Sequence, residues 1–499
     1  PKREKVVQSV VTTNVVERLV EKTSVVTSVV NRADDVPMKK AERAKDGKFT
    51  CKGPEGEWSY RVRAGKAWLG GDGKHALYPQ PAGRLRLPSS LNGVPIAGIA
   101  SRAFYGCPEL REVEVPEGYE TIGRDAFGRC ESLEYVKLPS TMAFIDEFAV
   151  CNTKIRSLDL NRTSEWNWNT IAGTPCLDEI RFDSRNNQFV VADGLVLSKD
   201  RKRLLFVPRG RKEPVVPPTV DFVQGHAFSR GSVRSLVIPD TVREINMFAA
   251  SRCDHLRRLV IGRGVRRIGK KAFEYSTNLV DLVIEEGIQR LDEWAVFSHC
   301  LSLRELVLPD SLETMGAGTF EDATSLERIH FGRSLRRLGY RSFAGAASLR
   351  SVAMPPSLRV MCAECFKDCH TLRHVLFEGD APTLVDNDGG QRGVDIFMGT
   401  PRDLVVHVRR GSKGWNPDGN GLPKRWPVGA GGNARTIRYA DEDVGPNADK
   451  KTFDPEKLKD RDPTRAVQKT LDMLFPGWKT TEAGGGQELG YRASHCGVD

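Results

Sequence analysis

Apolar residues along this chain fall into two phased registers. Leu110, Val113 and Val115 precede Pro116, and the same frame returns after 23 residues at Leu133, Val136, Leu138 and Pro139. It continues at Val233/Leu236/Ile238, Leu256/Leu259/Ile261, Leu279/Leu282/Ile284, Leu303/Leu306/Leu308, Leu326/Ile329/Phe331, Leu349/Val352/Met354 and Leu372/Val375/Phe377. The apolar-x-apolar tripeptide has period two, which predicts a short strand whose alternate side chains enter a core. Pro116, Pro139, Pro239, Pro309 and Pro355 lack an N–H and end those strands. In the second register an apolar residue is followed four positions later by a small one. The pairs are Ile99/Ala103, Ile122/Ala126, Ile145/Ala149, Val223/Ala227, Ile245/Ala249, Ile268/Ala272, Leu291/Ala295, Met315/Thr319, Leu338/Ser342 and Met361/Cys365. Phe104, Phe127, Phe228, Phe273, Phe320, Phe343 and Phe366 come next to the small residue. That spacing predicts one turn of helix, with the small residue allowing close stacking and Phe filling the space between coils.

A period of about 20 to 29 residues with this frame is the signature of leucine-rich repeats. The expected fold class is an α/β repeat solenoid, with repeats of about 23 residues that each contribute one short parallel strand and one short helical segment. One repeat cannot cover its own apolar face, so stability requires contiguous repeats and capped ends.

The segments Ile122 to Pro139, IGRDAFGRCESLEYVKLP, and Ile268 to Ile284, IGKKAFEYSTNLVDLVI, resemble the BspA-like leucine-rich repeats of bacterial and some protist surface proteins. The resemblance covers residues 58 to 425. Gly83 to Phe104 looks like the usual first coil, Ala192 to Gly210 like a hairpin-like interruption, and Leu404 to Trp415 like a terminal strand. Departures fall at Ser164 to Thr174, where Trp166 and Trp168 replace the Ala-Phe register, and at Asp386 to Gly393. The resemblance implies an exported or cell-surface protein that adheres to other molecules through an extended face.

Four regions follow. Residues 1–50 form an N-terminal stalk and linker, with valine pairs from Val6/Val7 to Val29/Val30 that fit either a helix capable of self-association or a disordered segment. Residues 51–426 are the solenoid, with an insertion near 185–215. Residues 427–461 read as a linker. Residues 462–499 begin a small domain, with Asp462 as helix cap, Pro463 at the first helical position and Val467, Leu471 and Leu474 on one face. The chain starts at Pro1 rather than Met, and the domain that begins at residue 462 is expected to be incomplete.

Composition changes this picture little. The net charge is +10, but acids and bases nearly balance over the central repeats, and the excess falls largely in the N-terminal part of the chain, which includes Lys39, Lys40, Arg43, Lys45 and Lys48. No nucleic-acid groove is expected. No uninterrupted apolar run is long enough for a membrane helix, and 11 cysteines in so long a chain do not suggest a disulfide scaffold.

The clustered Cys362, Cys365, Cys369 and His370 suit zinc by residue type. The repeat accounts for them better, since Cys365 lies in the small-residue register and Cys369 in the column of Cys107, Cys130 and Cys253. Gly264 to Lys270 has the spacing of a phosphate loop, but Lys271 stands where Ser or Thr would meet magnesium. The histidines scatter through different phases, so the expectation is a protein without catalytic residues, metal or cofactor.

The residue between the last two apolar positions of each strand points away from the core. That column reads Glu114, Lys137, Asp159, Arg181, then Val237, Val260, Val283, Val307, His330, Ala353 and Leu376. Valines in four coils, flanked by Arg258, Asp281, Glu305 and Arg328, fit a binding surface for a protein or glycan ligand. A strand preference, or cover by a flanking segment, fits them somewhat better. A basic column of Arg243, Arg266, Arg267, Arg290, Arg336, Arg337 and Arg359, interleaved with Glu244, Glu285, Glu286 and Glu313, reads as a solvated edge or as a site for an anionic partner.

Overall fold

The computed structural model describes residues 46–440, apart from 72, 161–164, 167, 172–173, 183–185, 187, 292, 387–394, 417–421 and 428–433. The valine-rich segment and the helix expected from Asp462 lie outside these residues.

The first apolar register forms the expected strand. Leu110–Glu114, Tyr135–Lys137, Ser157–Asp159 and Glu179–Arg181 recur coil by coil, and after the insertion so do Ser235–Ile238, Arg258–Ile261, Asp281–Ile284, Glu305–Val307, Arg328–His330, Ser351–Met354 and His374–Phe377. Pairing between adjacent coils is parallel, as in Leu236↔Leu259 and Leu259↔Leu282.

The second register corrects the expected α/β class. Among the described residues there is no α-helix, and Trp168–Ile171 is one 3-10 turn. The solenoid of about 12 turns is built of strands, and the place expected for helix holds a second ladder of two- and three-residue strands. Thr121–Ile122, Phe144–Ile145, Glu244–Ile245, Arg267–Ile268 and Arg337–Leu338 are examples. Each short strand leads into a run of turns whose N–H groups alternate in direction. Those of Ala126, Gly128 and Cys130 close tight turns onto Gly123, Asp125 and Phe127, while those of Asp125, Phe127 and Arg129 donate to Glu147, Ala149 and Cys151 of the next coil. Asp125 and Arg129 have φ of 55° and 57°. Left-handed residues cannot sit inside a right-handed helix, and donors committed to the neighbouring coil cannot serve their own i−4 carbonyls. The four-residue spacing of Ile122 and Ala126 is thus the length of a β-turn corner.

Core columns run through these corners. Ala103, Ala126 and Ala272 have no exposed surface, and the phenylalanines that follow them, Phe104, Phe127 and Phe273, stack with nearly parallel rings. Centroids are 5.2 Å apart for Phe273–Phe297 and Phe297–Phe320, and 5.7 Å for Phe320–Phe343. Phe297 belongs to this stack because one coil is a residue longer: Leu279 and Leu303 are 24 apart. The extra residue shifts Ala295 to the left-handed position, with φ of 57°, and places buried Val296 in the small-residue column. This corrects the pairing of Leu291 with Ala295.

Gly264 marks how closely coils approach, since a Cβ there would collide with the Asp240 carbonyl.

The ends are closed differently. Gly47–Gly53, Gly56–Arg63 and Lys66–Leu69 form an antiparallel sheet whose last strand joins Val94–Ile99 in parallel. Buried Trp58 meets Phe104 edge-on at 6.5 Å. At the other end Val405–Val408 pairs with Arg435–Tyr439, and Phe377, Phe397, Trp415 and Trp426 pack together. Midway, Phe189–Ala192, Leu195–Ser198 and Arg203–Phe206 form an antiparallel insert. Two core clusters meet here: Leu195, Leu197, Leu204 and Val207 belong to one, and Val196, Leu205 and Phe206 to the other.

Candidate functional site

The long-strand ladder places the outward column in register. Glu114 faces Lys137 and Asp159 faces Arg181, and these oppositely charged neighbours form ion pairs of 3.1 Å each. Hydrogen bonding to Lys137 holds the Glu114 carboxyl below the usual range, and Arg181 does the same to Glu179. The charged half of the face is therefore largely self-neutralised.

In the apolar half, Val237 pairs with Val260 and Val260 with Val283, while Val307 pairs with His330. The valines leave the main core as alternation requires, but their exposure is uneven. Val260 and Val283 are 2% and 9% exposed and form a small cluster of their own with half-buried Val237. Val307 is half-buried. Beside them Arg258 and Asp281 pair at 3.0 Å, Glu305 lies 3.9 Å from the His330 ring, and Arg328 is exposed. The ladder thus brings together all eight predicted residues, in two groups. Ser235–Ile238, Arg258–Ile261 and Asp281–Ile284 form one three-stranded sheet, and Glu305–Val307 with Arg328–His330 form another. The long coil lies at that boundary.

The basic column is partly neutralised. Arg267 contacts Glu244 at 3.3 Å and Glu293 at 2.9 Å, and Arg266 donates to the Gly287 carbonyl at 2.7 Å. Lys270 and Lys271, from the loop-like motif, sit 4.5 and 4.8 Å from the ring of half-exposed Trp294.

The cysteine cluster does not converge. Cys365 donates to the Cys362 and Gly339 carbonyls and Cys369 to that of Phe343, all within the core, while exposed His370 contacts Gly399. Burial pushes the Cys369 thiol up to about 12 and raises those of Cys362 and Cys365. Among the described residues no group of three or more His, Cys, Asp or Glu side chains is arranged to hold a metal ion. Nor is any helix there long and apolar enough to cross a membrane. A feature the periodicity does not reveal is Arg209, 1% exposed, which donates to the carbonyls of Ala227 and His226 where the insert rejoins the array.

Stacked coils of about 23 residues with a leucine-frame ladder define a leucine-rich repeat solenoid. The family profile of the BspA type leucine rich repeat region matches residues 97–189, 212–296 and 294–386, with 6 copies of the repeat. Those ranges make up more than half of the chain, and the chain belongs to that family. Curated proteins include no sequence match. Among solved structures, a leucine-rich repeat protein from Eubacterium ventriosum is 15% identical with a TM-score of 0.48, covering 75% of this chain and 99% of its own. The pneumococcal vaccine antigen PcpA is 14% identical with a TM-score of 0.43, covering 74% and 95%. A leucine-rich repeat protein from Bacteroides ovatus is 14% identical with a TM-score of 0.38 and the same coverage. At such identities and scores, nothing about function passes from these proteins to this chain.

Proposed function

We propose that this chain is a non-catalytic binding protein, displayed at the cell surface or secreted, that engages a protein or glycan through the outward face of its long-strand ladder. The observation carrying this reading is the in-register ladder itself. Successive coils present one side chain each at intervals of about 4.8 Å, on a backbone held by hydrogen bonds from coil to coil. Side chains so fixed lose little freedom on binding, which is what a large recognition surface requires. Membership of a family of repeats typical of surface proteins supports the location. The contact residues assigned are Val237 and Val307 with Arg258, Asp281, Glu305 and Arg328, while Val260 and Val283, in the same column, are nearly covered.

The test is binding of the whole chain to arrayed matrix proteins and glycans, beside an Arg258→Glu/Arg328→Glu variant. A saturable signal that falls about tenfold or more in a variant melting like the parent supports the face. Equal binding by both places the function elsewhere on the molecule. Absence of binding by either overturns the reading for those ligands and favours a spacer role.

A further inference from the structure

The insert interrupts the corner where turns stack, and there a cavity of about 280 Å³ opens between coils distant in sequence. Phe148 and Asn152 line one side, and His226 and Arg230 the other, with Phe248 and Arg252 from the following coil. Arg230 and Arg252 both occupy left-handed turn positions, with φ of 57°. On this corner Arg341 is neutralised by its neighbours, Glu321 at 2.7 Å and Glu364 at 2.9 Å. Arg230 and Arg252 are exposed and have no such carboxylate partner among the described residues, although Arg252 lies over the Tyr275 ring at 4.6 Å. Partial desolvation against the cleft wall and the like charge of Arg252 lower the pKa of the exposed Arg230, and Asp254 offsets this from a distance without pairing. The carboxylate in the wall, Glu274, is tied to Lys271 at 2.7 Å.

A third positive charge lies behind the wall. The guanidinium of Arg209 is buried 5.0 Å from the Phe206 ring, and its Nε has no hydrogen-bond partner. His226 stacks on Phe248 at 5.4 Å and meets Ser229 through Nδ1 at 3.2 Å. Burial, with Arg209 and Arg230 nearby, holds the imidazole down to about 4. The cleft is therefore a positive recess with aromatic flanks and a neutral histidine: Arg230 and Arg252 stand exposed at its mouth and Arg209 is buried behind it, and a bound anion would pair with the first two and offset the charge of the third.

We propose that this cleft binds an acidic sugar residue of a glycan, its carboxylate between Arg230 and Arg252 and its ring against Phe148 and Phe248. The volume lies just below the range of about 300–1,000 Å³ usual for ligand pockets, which suits one sugar ring. The site occupies the turn corner, separate from the strand ladder, and does not depend on the reading given for that face.

The whole chain is titrated calorimetrically with glucuronate, glucose and inorganic sulfate, with His226 followed by NMR. Glucuronate is expected to bind saturably and glucose about tenfold more weakly or worse. The Arg230→Gln/Arg252→Gln variant, melting like the parent, should lose a similar factor. Bound glucuronate should raise the His226 pKa by screening the arginines. Sulfate binding as tightly as glucuronate would overturn the assignment to a sugar. Equal binding of glucose and glucuronate, an unaffected variant, an unmoved His226 or no binding at all would overturn the anion site.

Discussion

Single positions in this array are decided by what the next coil offers. The cysteine column shows this: Cys130 donates to Phe104 O at 3.0 Å, Cys253 to Phe228 O at 3.1 Å and Cys369 to Phe343 O at 3.3 Å. Ser276 fills the same column and donates to Ala250 O at 3.3 Å. A hydroxyl is thus satisfied there, and Cys253→Ser should cost no more than about 1.5 kcal/mol in urea unfolding. Burial raises Cys253 and Cys300 to about 12. The thiolate is the reactive form, so both should resist a thiol reagent until urea unfolds the chain. His226 makes a pH prediction. Its pKa falls from 6.5 in the unfolded chain to about 4 when folded. Above pH 6.5 both states are neutral. As pH drops toward 4 the unfolded chain takes up a proton that the folded one refuses, and stability is lost across that window. The loss is at most roughly 3 kcal/mol. Thermal melts at pH 7 and pH 4 should show a smaller drop in His226→Phe than in the parent, and equal drops would refute the assignment.

At the scale of the element, the coil is two short strands and a turn corner around stacked phenylalanines. Phe320 has a ring above and below it, at 5.2 and 5.7 Å. Phe320→Ala should therefore cost about 3–5 kcal/mol, because neighbours held by both ladders cannot collapse into the void. Gly264→Ala adds a methyl group against the Asp240 carbonyl, and spreading two hydrogen-bonded coils should cost about 1–3 kcal/mol. Both are read from urea midpoints. The strand of each coil was legible because alternation is local. Its corner was misread because a four-residue spacing fits a helical turn and a β-turn alike. The left-handed positions held a clue in Gly106, Gly318, Gly345, Asp125 and Asn152, residues that tolerate positive φ. Phe148, Arg252 and Lys271 at equivalent positions hide it.

For the whole molecule, the insert joins two cores. Leu205 and Phe206 face one while Leu204 and Val207 face the other. Repeat arrays unfold cooperatively only while interfaces between neighbours hold. Phe206→Ala should weaken that coupling, so that hydrogen exchange in urea reports separate transitions for residues before and after the insert where the parent shows one. A single transition in the variant would mean that the ladders alone couple the halves. The eight residues expected on the strand face fall on two neighbouring sheets of one ladder, and the sequence could not tell that Val260 and Val283 would be nearly covered. Alternation states which way a side chain points and is silent on what lies over it.

Sequence alone determined the repeat, its period, the long strand and the residues that enter the core, since each follows from apolar spacing within one coil. Tertiary structure decided the rest. Whether Ile122 to Cys130 coils or turns depends on donors finding carbonyls 22 residues onward, from Asp125 to Glu147 and from Phe127 to Ala149. Asn152, Arg230 and Arg252 line one cleft, with Arg209 behind its wall, because the insert changes which coils are neighbours. Contacts between coils cannot be read from the spacing within any one of them.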